Sequence, residues 1–160
     1  MGIEIERKFL LLNDGWRHAA PAGTDYKQGY LAVNPNCSVR VRLASDRAWL
    51  TVKGRNSSGL ARPEYEYPVP ADDAEGLLAL CQPSIISKTR YKVGRGPHTW
   101  EIDEFHGDNA GLLLAEIELD DENEDFERPN WLGMEVTHDP RYYNAALSAH
   151  PYCQWKVQTG

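Results

Sequence analysis

Charged residues of one sign recur at alternate positions along this sequence, a spacing that can assemble an ion-binding surface. Acids are spaced in this way at Glu4–Glu6, Glu64–Glu66, Glu101–Asp103 and Glu116–Glu118, and bases at Arg40–Arg42 and Lys88–Arg90–Lys92. Successive side chains of a β-strand point to opposite faces, so each set would share one face of its strand. On a single strand such charges could simply face solvent. Because like charges on one face repel one another, the recurrence of strands sorted by sign favours a functional surface.

The segments that carry these charges alternate with period two, which is typical of β-strands. Large apolar residues such as Val41 and Trp100 occupy the opposite face. The pattern predicts a set of about eight strands, over residues 3–11, 28–33, 37–44, 47–54, 62–69, 85–93, 99–105, 112–119 and possibly 134–137.

Helical signals are few. Segment 72–81 begins with acids and carries apolar residues at helical spacing, and segment 139–150 begins with Asp139 as a candidate N-cap and Pro140 in the first helical position. Between them, the acidic run 120–127 is expected to be a solvated loop or short helix. The fold class expected from these elements is α+β, built on an antiparallel sheet.

Composition and charge restrict the class of protein. The chain has 160 residues, 41% hydrophobic and 26% charged, which predicts a single domain over residues 1–160. The net charge of −7 argues against general nucleic-acid binding, and no apolar run approaches the roughly 20 residues that span a bilayer. The opening residues resemble neither a signal nor a transit peptide, and the three scattered cysteines form no CxxC. We therefore expect a cytoplasmic protein without a membrane or nucleic-acid partner.

Closing about eight strands into a barrel would place one strand face in an enclosed lumen. The alternation alone does not say whether the charged or the apolar face points inward. A lumen lined by the charged face would gather many acids and bases in a narrow space. Such a cluster is too costly to keep desolvated unless a ligand and metal ions pair with it.

The order of the motifs resembles the CYTH superfamily, also called the triphosphate tunnel metalloenzymes. The resemblance begins with the ExExK element of Glu4, Glu6 and Lys8 and spans about 3–147. It continues through Gln28-Gly29-Tyr30, Arg40-x-Arg42, Lys53-Gly54, Glu64-x-Glu66, Lys88-x-Arg90-Tyr91, Glu101-x-Asp103, Glu116-x-Glu118, Glu135-Val136-Thr137 and Arg141-Tyr142-Tyr143-Asn144. The resemblance implies a closed eight-stranded antiparallel β-barrel with a charged lumen and a few helices packed outside.

A triphosphate would explain the bases of such a lumen. It spreads its negative charge over many oxygens, so bases on several strands can surround it, arginine through bidentate hydrogen bonds and lysine as a point charge. The candidate triphosphate-binding residues are Lys8, Arg40, Arg42, Lys53, Lys88 and Arg90. Lys92 is in phase with them but lies near the end of its strand.

The acids would then hold cations that contact the phosphates. Carboxylate ligands without histidine or cysteine favour Mg²⁺ or Mn²⁺ over zinc. The candidate metal ligands are Glu4, Glu6, Asp103, Glu116 and Glu118, with Glu64, Glu66 and Glu101 as possible ligands or supports of a second ion. The resemblance implies two ions, one that orients the triphosphate and one that activates a water for in-line attack.

The activity that this resemblance implies is metal-dependent hydrolysis of inorganic triphosphate to diphosphate and orthophosphate. Lys88, Tyr30, Glu4 and Glu6 are the candidate catalytic residues, although Tyr30 could equally be a packing tyrosine. Arg141 is a candidate phosphate contact on a C-terminal lid, and a homodimer is a further expectation from the resemblance. The alternatives are a thiamine triphosphatase, a nucleoside triphosphatase or adenylate cyclase of the same fold, and a non-catalytic polyphosphate- or nucleotide-binding module.

Overall fold

The structure is a computed structural model that describes residues 2–55, 60–81 and 85–158, with side chains to residue 155. Within these residues it contains nine strands and two α-helices. The strands are β1 (Gly2–Leu11), β2 (Thr24–Val33), β3 (Cys37–Ala44), β4 (Arg47–Gly54), β5 (Ala61–Val69), β6 (Ile86–Arg95), β7 (His98–Phe105), β8 (Leu113–Glu118) and β9 (Leu132–Glu135). The helices are α1 (Ala71–Ala79) and α2 (Asn144–Ala149). Short 3₁₀ helices span Gly15–Ala19, Gly107–Asn109, Pro140–Tyr142 and Tyr152–Gln158.

The first eight strands close into an antiparallel barrel, which confirms the predicted fold class. Their order is β5-β4-β3-β2-β6-β7-β8-β1, and β1 pairs with β5 to complete the circle. The closing contact joins Gly2–Ile5 of β1 to residues 61–64 of β5. The ninth strand, β9, lies outside this circle and pairs with the far end of β1, where Phe9 faces Glu135 and Leu11 faces Leu132.

The charged faces of the strands point into the barrel and the apolar faces point outward, which the alternation alone did not decide. The outer faces of β1, β7 and β8 bury Phe9, Trp100 and Ile117 under Trp16 and Trp131. On the other side of the barrel, Val41 packs under Leu78 and Cys81 at the α1 layer. The positions in phase with Glu4, Arg40 and Glu116 therefore face the lumen, as the resemblance implied.

One end of the lumen is apolar. Ile86, Phe105 and Leu114 take inward positions on β6, β7 and β8, and Tyr142 and Leu147 from the C-terminal segment pack against them. This cluster covers the end of the barrel where β6 begins and β7 ends. The lumen is thus a cavity with a closed apolar end.

The C-terminal prediction of one helix over 139–150 is wrong. The segment forms a 3₁₀ turn over Pro140–Tyr142, then Tyr143 takes an extended ψ of 139°, and α2 begins at Asn144. Asp139 nevertheless acts as a cap, because its side chain accepts a hydrogen bond from the Arg141 backbone N–H. The break turns the Tyr142 carbonyl toward Lys8 Nζ, 3.1 Å away.

The other element boundaries differ less from those expected. Strand β2 begins at Thr24, four residues before position 28, because Thr24–Lys27 pair with β6. Strand β9 covers Leu132–Glu135 in place of 134–137, and α1 covers Ala71–Ala79 in place of 72–81. The acidic run 120–127 forms turns and loop. Within the described residues, no helix has both the length and the apolar character needed to cross a bilayer.

Helix α1 packs closely on β2 at Gly29. A Cβ added there would lie 2.5 Å from Cys81 Cβ and 2.9 Å from Ile85 Cδ1. We expect Gly29→Ala to lower the free energy of unfolding by about 1–3 kcal/mol through overpacking. Urea unfolding measures this, with Gly94→Ala as the matched control, since a Cβ at Gly94 meets nothing within 4 Å. Equal losses in the two variants would contradict the close packing.

Candidate active site in the barrel

A charged cavity of about 330 Å³ occupies the lumen. Its walls contain most of the residues that the sequence analysis proposed, namely Glu4, Glu6, Lys8, Tyr30, Arg40, Arg42, Lys53, Glu64, Glu66, Arg90, Glu101, Glu116 and Glu118. These side chains come from β1 to β8, since each strand presents its inward positions to the same space. Lys88 and Asp103 lie beside the cavity with fully buried side chains.

A buried ion cluster links β6 and β7. Asp103 accepts hydrogen bonds from Arg90 Nε at 2.8 Å and Arg90 Nη2 at 2.9 Å, and Lys88 Nζ lies 2.8 Å from its second oxygen. The register places Asp103 directly opposite Arg90, so the two strands bring the guanidinium and carboxylate face to face. With its oxygens engaged by two bases, Asp103 holds the bases in place in this arrangement, and its predicted role as a metal ligand stays a prediction.

Burial sets the proton affinities in this cluster. It lowers the pKa of the Lys88 ammonium to about 7, against the opposing effect of Asp103. Burial would raise the pKa of Asp103, yet Arg90 and Lys88 outweigh it and hold that pKa below its usual range. Asp103 therefore stays ionised at neutral pH, and Lys88 is poised between its two protonation states.

Two arginines of β3 face the cavity. Arg42 Nε donates to Gln28 Oε1 at 3.0 Å and Arg40 Nη2 donates to the Thr51 hydroxyl at 3.4 Å, so the side-chain hydrogen bonds of both arginines within the described residues go to neutral groups. The buried Arg40 Nε has no hydrogen-bond partner among the described residues. Burial, and then repulsion by Arg40 and Arg90, lowers the pKa of Arg42 to about 10. This part of the wall therefore carries excess positive charge and an orphaned donor, which an anion would satisfy.

The neighbouring part of the cavity, along β4, β5 and β1, contains a second set of ion pairs. Lys53 Nζ donates to both carboxylate oxygens of Glu4 at 3.0 Å and lies 3.6 Å from Glu64. Arg62 Nε donates to Glu4 at 3.3 Å, from the residue directly opposite Glu4 in the β1–β5 register. Although burial opposes it, Lys53 and Arg62 lower the pKa of Glu4.

Glu6 and Glu116 form a carboxylate pair where β1 meets β8. Burial and the nearby Glu116 raise the pKa of Glu6 well above its usual range. Glu116 has its pKa lowered despite burial, mainly by Lys8 and by a hydrogen bond with Glu6. The cross-strand partner of Glu6 is Glu118. Burial and the nearby Glu4 raise the pKa of Glu118. Acids held this close retain a proton unless a cation lies between them.

The donor set fits a hard divalent cation. Carboxylate oxygens from neighbouring strands are what Mg²⁺ or Mn²⁺ prefers. Burial and the nearby Glu116 raise the pKa of Glu6, and a cation bound between the two acids would oppose that rise. In the part of the chain that the structure describes, no three acidic, imidazole or thiol groups are already arranged around a common ion position. Glu4 would exchange its contacts with Lys53 and Arg62 to become a ligand.

Tyr30 lies on the cavity wall, but away from Lys88. The β2–β3 register places it opposite Arg40, whereas the residue of β2 opposite Lys88 is Tyr26. The Tyr26 ring lies 4.8 Å from the Arg42 guanidinium and 5.1 Å from that of Arg90, so it contacts two bases at once. Tyr26, and not Tyr30, therefore lies opposite Lys88 in the β2–β6 register.

Several wall residues were missed by sequence reasoning. Arg62 is in phase with Glu64 and Glu66, so the alternation could have identified it. Thr137, Tyr143 and Asn144 belong to motifs of the family resemblance but were not proposed as site residues. With His138, they come from outside the barrel strands and carry no periodic signal. Arg141, proposed as a phosphate contact, instead pairs with Asp139 at 2.7 Å on the surface.

Comparison with known proteins agrees with this geometry. The model of the CYTH domain matches residues 2–143, and the chain therefore belongs to the CYTH domain family. The chain is 48% identical to an inorganic triphosphatase of Acetivibrio thermocellus, over 98% of this chain and 99% of that protein. It is 37% identical to an inorganic triphosphatase of Nitrosomonas europaea, over 91% of this chain and 96% of that protein.

A solved structure shares the architecture. The crystal structure of an inorganic triphosphatase superposes with a TM-score of 0.63 at 33% identity, and the match covers 90% of this chain and 96% of that one. Metal dependence is consistent with membership of the CYTH family.

Proposed function

We propose that this protein hydrolyses inorganic triphosphate to diphosphate and orthophosphate inside the barrel cavity. The observation that carries the proposal is the excess positive charge on the β3 wall, where the buried Arg40 Nε has no partner among the described residues, in the same cavity as the carboxylates of β1 and β8. The names of the two relatives, at 48% and 37% identity, support the same substrate.

The bases would bind and orient the phosphates. Arg40, Arg42 and Arg90 offer planar donors from neighbouring inward positions, while Lys8 and Lys53 add point charges from β1 and β4. Lys88 is held by Asp103 and contributes positive charge to the closed end of the cavity. Because these groups lie on a closed sheet, they are fixed before the ligand enters, and little ordering free energy is lost on binding.

The acids would hold two ions, Mg²⁺ or Mn²⁺. Glu4, Glu6, Glu116 and Glu118 are the proposed ligands of one, and Glu64, Glu66, Glu101 and Asp103 are the residues available to a second. Such ions supply charge neutralisation on the phosphate oxygens and a water of lowered pKa. The chain itself excludes bulk water, keeps Glu116 ionised through Lys8, and holds the terminal phosphorus in line with the attacking oxygen.

We further propose that residues 1–160 form a single domain and that the protein is cytoplasmic, which agrees with three free cysteines among the described residues. We also propose that it forms a homodimer and binds no nucleic acid. Tyr30 is assigned to the wall beside Arg40, where its hydroxyl can contact the ligand.

Phosphate release from a substrate panel tests the function. Tripolyphosphate, ATP and thiamine triphosphate are each incubated with Mg²⁺, Mn²⁺ or EDTA. We expect release from tripolyphosphate that needs a metal and exceeds release from the organic substrates. Faster turnover of ATP or thiamine triphosphate would contradict the substrate assignment. Tight binding without release would indicate a binding module.

The role of Arg40 can be tested without metal. We expect Arg40→Gln to weaken tripolyphosphate binding in EDTA by about tenfold or more, the effect of losing charge-assisted hydrogen bonds. Isothermal titration measures the dissociation constant. Arg47→Gln is the matched control, since Arg47 is exposed on the neighbouring strand and stacks on Trp49. An Arg40→Gln protein that binds as tightly as the Arg47→Gln protein would remove Arg40 from the site.

A further inference from the structure

Asn144 connects the C-terminal segment to the closed end of the cavity. It is the first residue of α2, and its side chain lies on the cavity wall. Its Oδ1 accepts one hydrogen bond from Lys88 Nζ and one from Gln28 Nε2, each at 3.2 Å. Lys88 is fully buried, and Asn144 contacts both that side chain and the cavity.

The orientation of the Asn144 carboxamide follows from the groups around it. As the ammonium that pairs with Asp103, Lys88 has only N–H donors, so it requires an acceptor. Arg42 also has only donors, and its Nε donates to Gln28 Oε1 at 3.0 Å, which turns the Gln28 NH₂ toward Asn144. Both neighbours of Asn144 therefore need an oxygen. Rotating the amide by half a turn would place its N–H groups against those of Lys88 and Gln28.

Fixing the oxygen leaves the Asn144 NH₂ group directed away from Lys88 and Gln28. In the described part of the chain, this nitrogen makes no hydrogen bond, and the half-buried side chain borders the cavity. An ammonium bonded to Oδ1 also polarises the amide and strengthens the N–H groups as donors. The Asn144 NH₂ group is therefore a neutral donor, held in one orientation on a cavity wall that also contains Lys8, Arg40 and Arg42.

We propose that Asn144 Nδ2 donates a hydrogen bond to a non-bridging oxygen of the bound triphosphate, at the end of the cavity nearest α2. This inference rests on the proposed function and adds a ligand-binding residue from outside the barrel strands. The contact fixes the position of the phosphate chain along the lumen without adding charge. Asn144 would then hydrogen-bond to Lys88 and to the ligand at the same time.

Two substitutions separate the donor from the acceptor. Asn144→Asp keeps an oxygen for Lys88 and Gln28 but replaces the NH₂ with a second oxygen that repels phosphate. Asn144→Ala removes both groups. The matched control is Ala145→Asp, because Ala145 lines the same wall and the variant adds the same charge one residue away.

Titration of tripolyphosphate in EDTA, where metal-dependent turnover is absent, gives the dissociation constants. We expect Asn144→Ala to weaken binding about threefold to tenfold, and Asn144→Asp to weaken it at least about tenfold more than Ala145→Asp does. The temperature of unfolding of Asn144→Asp should stay close to that of the natural protein, which shows that the acceptor role is retained. The KM for tripolyphosphate in Mg²⁺ should rise in parallel.

Two results would overturn the inference while leaving the proposed function intact. One is an Asn144→Ala protein that binds as tightly as the natural protein. The other is an equal loss in Asn144→Asp and Ala145→Asp, which would mean that only charge matters. A natural protein that neither binds nor hydrolyses tripolyphosphate would instead contradict the proposed function itself, and this inference with it.

Discussion

Replacing Asp103 with leucine should lower the free energy of unfolding by about 3–5 kcal/mol, the usual cost of leaving buried charges without their partner. Asp103 is fully buried and joins Lys88 and Arg90, at 2.8 Å each. Its loss leaves Lys88 without this carboxylate and leaves Arg90 with the longer contacts to Glu101 and Glu116, at 3.4 and 3.6 Å. Lys88 could then release its proton, but Arg90 could not. The penalty therefore persists at neutral pH.

Lys88→Met provides the matched comparison. It removes the other fully buried member of the pair, yet Asp103 keeps both hydrogen bonds from Arg90. Since the folded protein lowers the pKa of Lys88 to about 7, the ammonium is already disfavoured there, and its removal should cost less than about 1 kcal/mol. Urea unfolding at pH 7 gives both values. Similar losses in the two variants would contradict the assignment of Asp103 as the anchor of the cluster.

The same cluster predicts a pH dependence of stability. The folded pKa of Lys88 is about 7 and its usual value is 10.5, so between these values the unfolded chain binds more protons and stability should rise with pH. Lys88→Met should remove this rise. Asp103 affects stability at acid pH. Its pKa is lowered in the folded protein, so the stabilisation that its ionised carboxylate provides is lost as the pH falls through that pKa.

Glu6→Gln should stabilise the metal-free protein and abolish its activity. Burial and Glu116 raise the pKa of Glu6, so the folded state holds a proton that the unfolded state releases. The free energy of unfolding of the natural protein therefore falls as the pH rises from the ordinary glutamate pKa to the raised pKa of Glu6 in the folded protein. Glutamine carries no charge and avoids this loss. Turnover should fall by at least about 1000-fold, since a proposed metal ligand is lost.

Unfolding in EDTA across pH measures the gain in stability, which should grow from acid toward neutral pH. Adding Mg²⁺ should stabilise the natural protein more than Glu6→Gln, because the cation relieves the repulsion that the variant lacks. Glu104→Gln serves as the control, since Glu104 pairs with Arg17 on the outer surface. A Glu6→Gln protein that is destabilised in EDTA, or that keeps full activity, would contradict the proposed metal role.

The barrel could be predicted because most strands carry their own alternation. Strands β3 and β4 begin and end where the sequence pattern places them, at Cys37–Ala44 and Arg47–Gly54. The alternation could not decide which face points inward, since a strand that faces solvent shows the same period. The choice came from the family resemblance, and the outer clusters around Phe9 and Val41 agree with it.

What the sequence did not reveal depends on contacts between distant segments. The break at Tyr143 accompanies the hydrogen bond from Lys8 to the Tyr142 carbonyl, a contact that no local propensity encodes. Likewise, spacing along β6 shows that Lys88 shares a face with Arg90, but not that Phe105 of the neighbouring strand lies against Lys88, which depends on the register between β6 and β7. Register between β2 and β6 brings Tyr26, and not Tyr30, to Lys88.

In the proposed reaction, the cavity directs water to a terminal phosphorus of triphosphate. A ³¹P NMR time course of tripolyphosphate hydrolysis in ¹⁸O-labelled water with Mg²⁺ tests this directly. We expect equal amounts of orthophosphate and diphosphate, with the label in orthophosphate and no reaction in EDTA. Label in diphosphate would mean attack at the central phosphorus, and unchanged tripolyphosphate would mean that the cavity does not carry out this reaction.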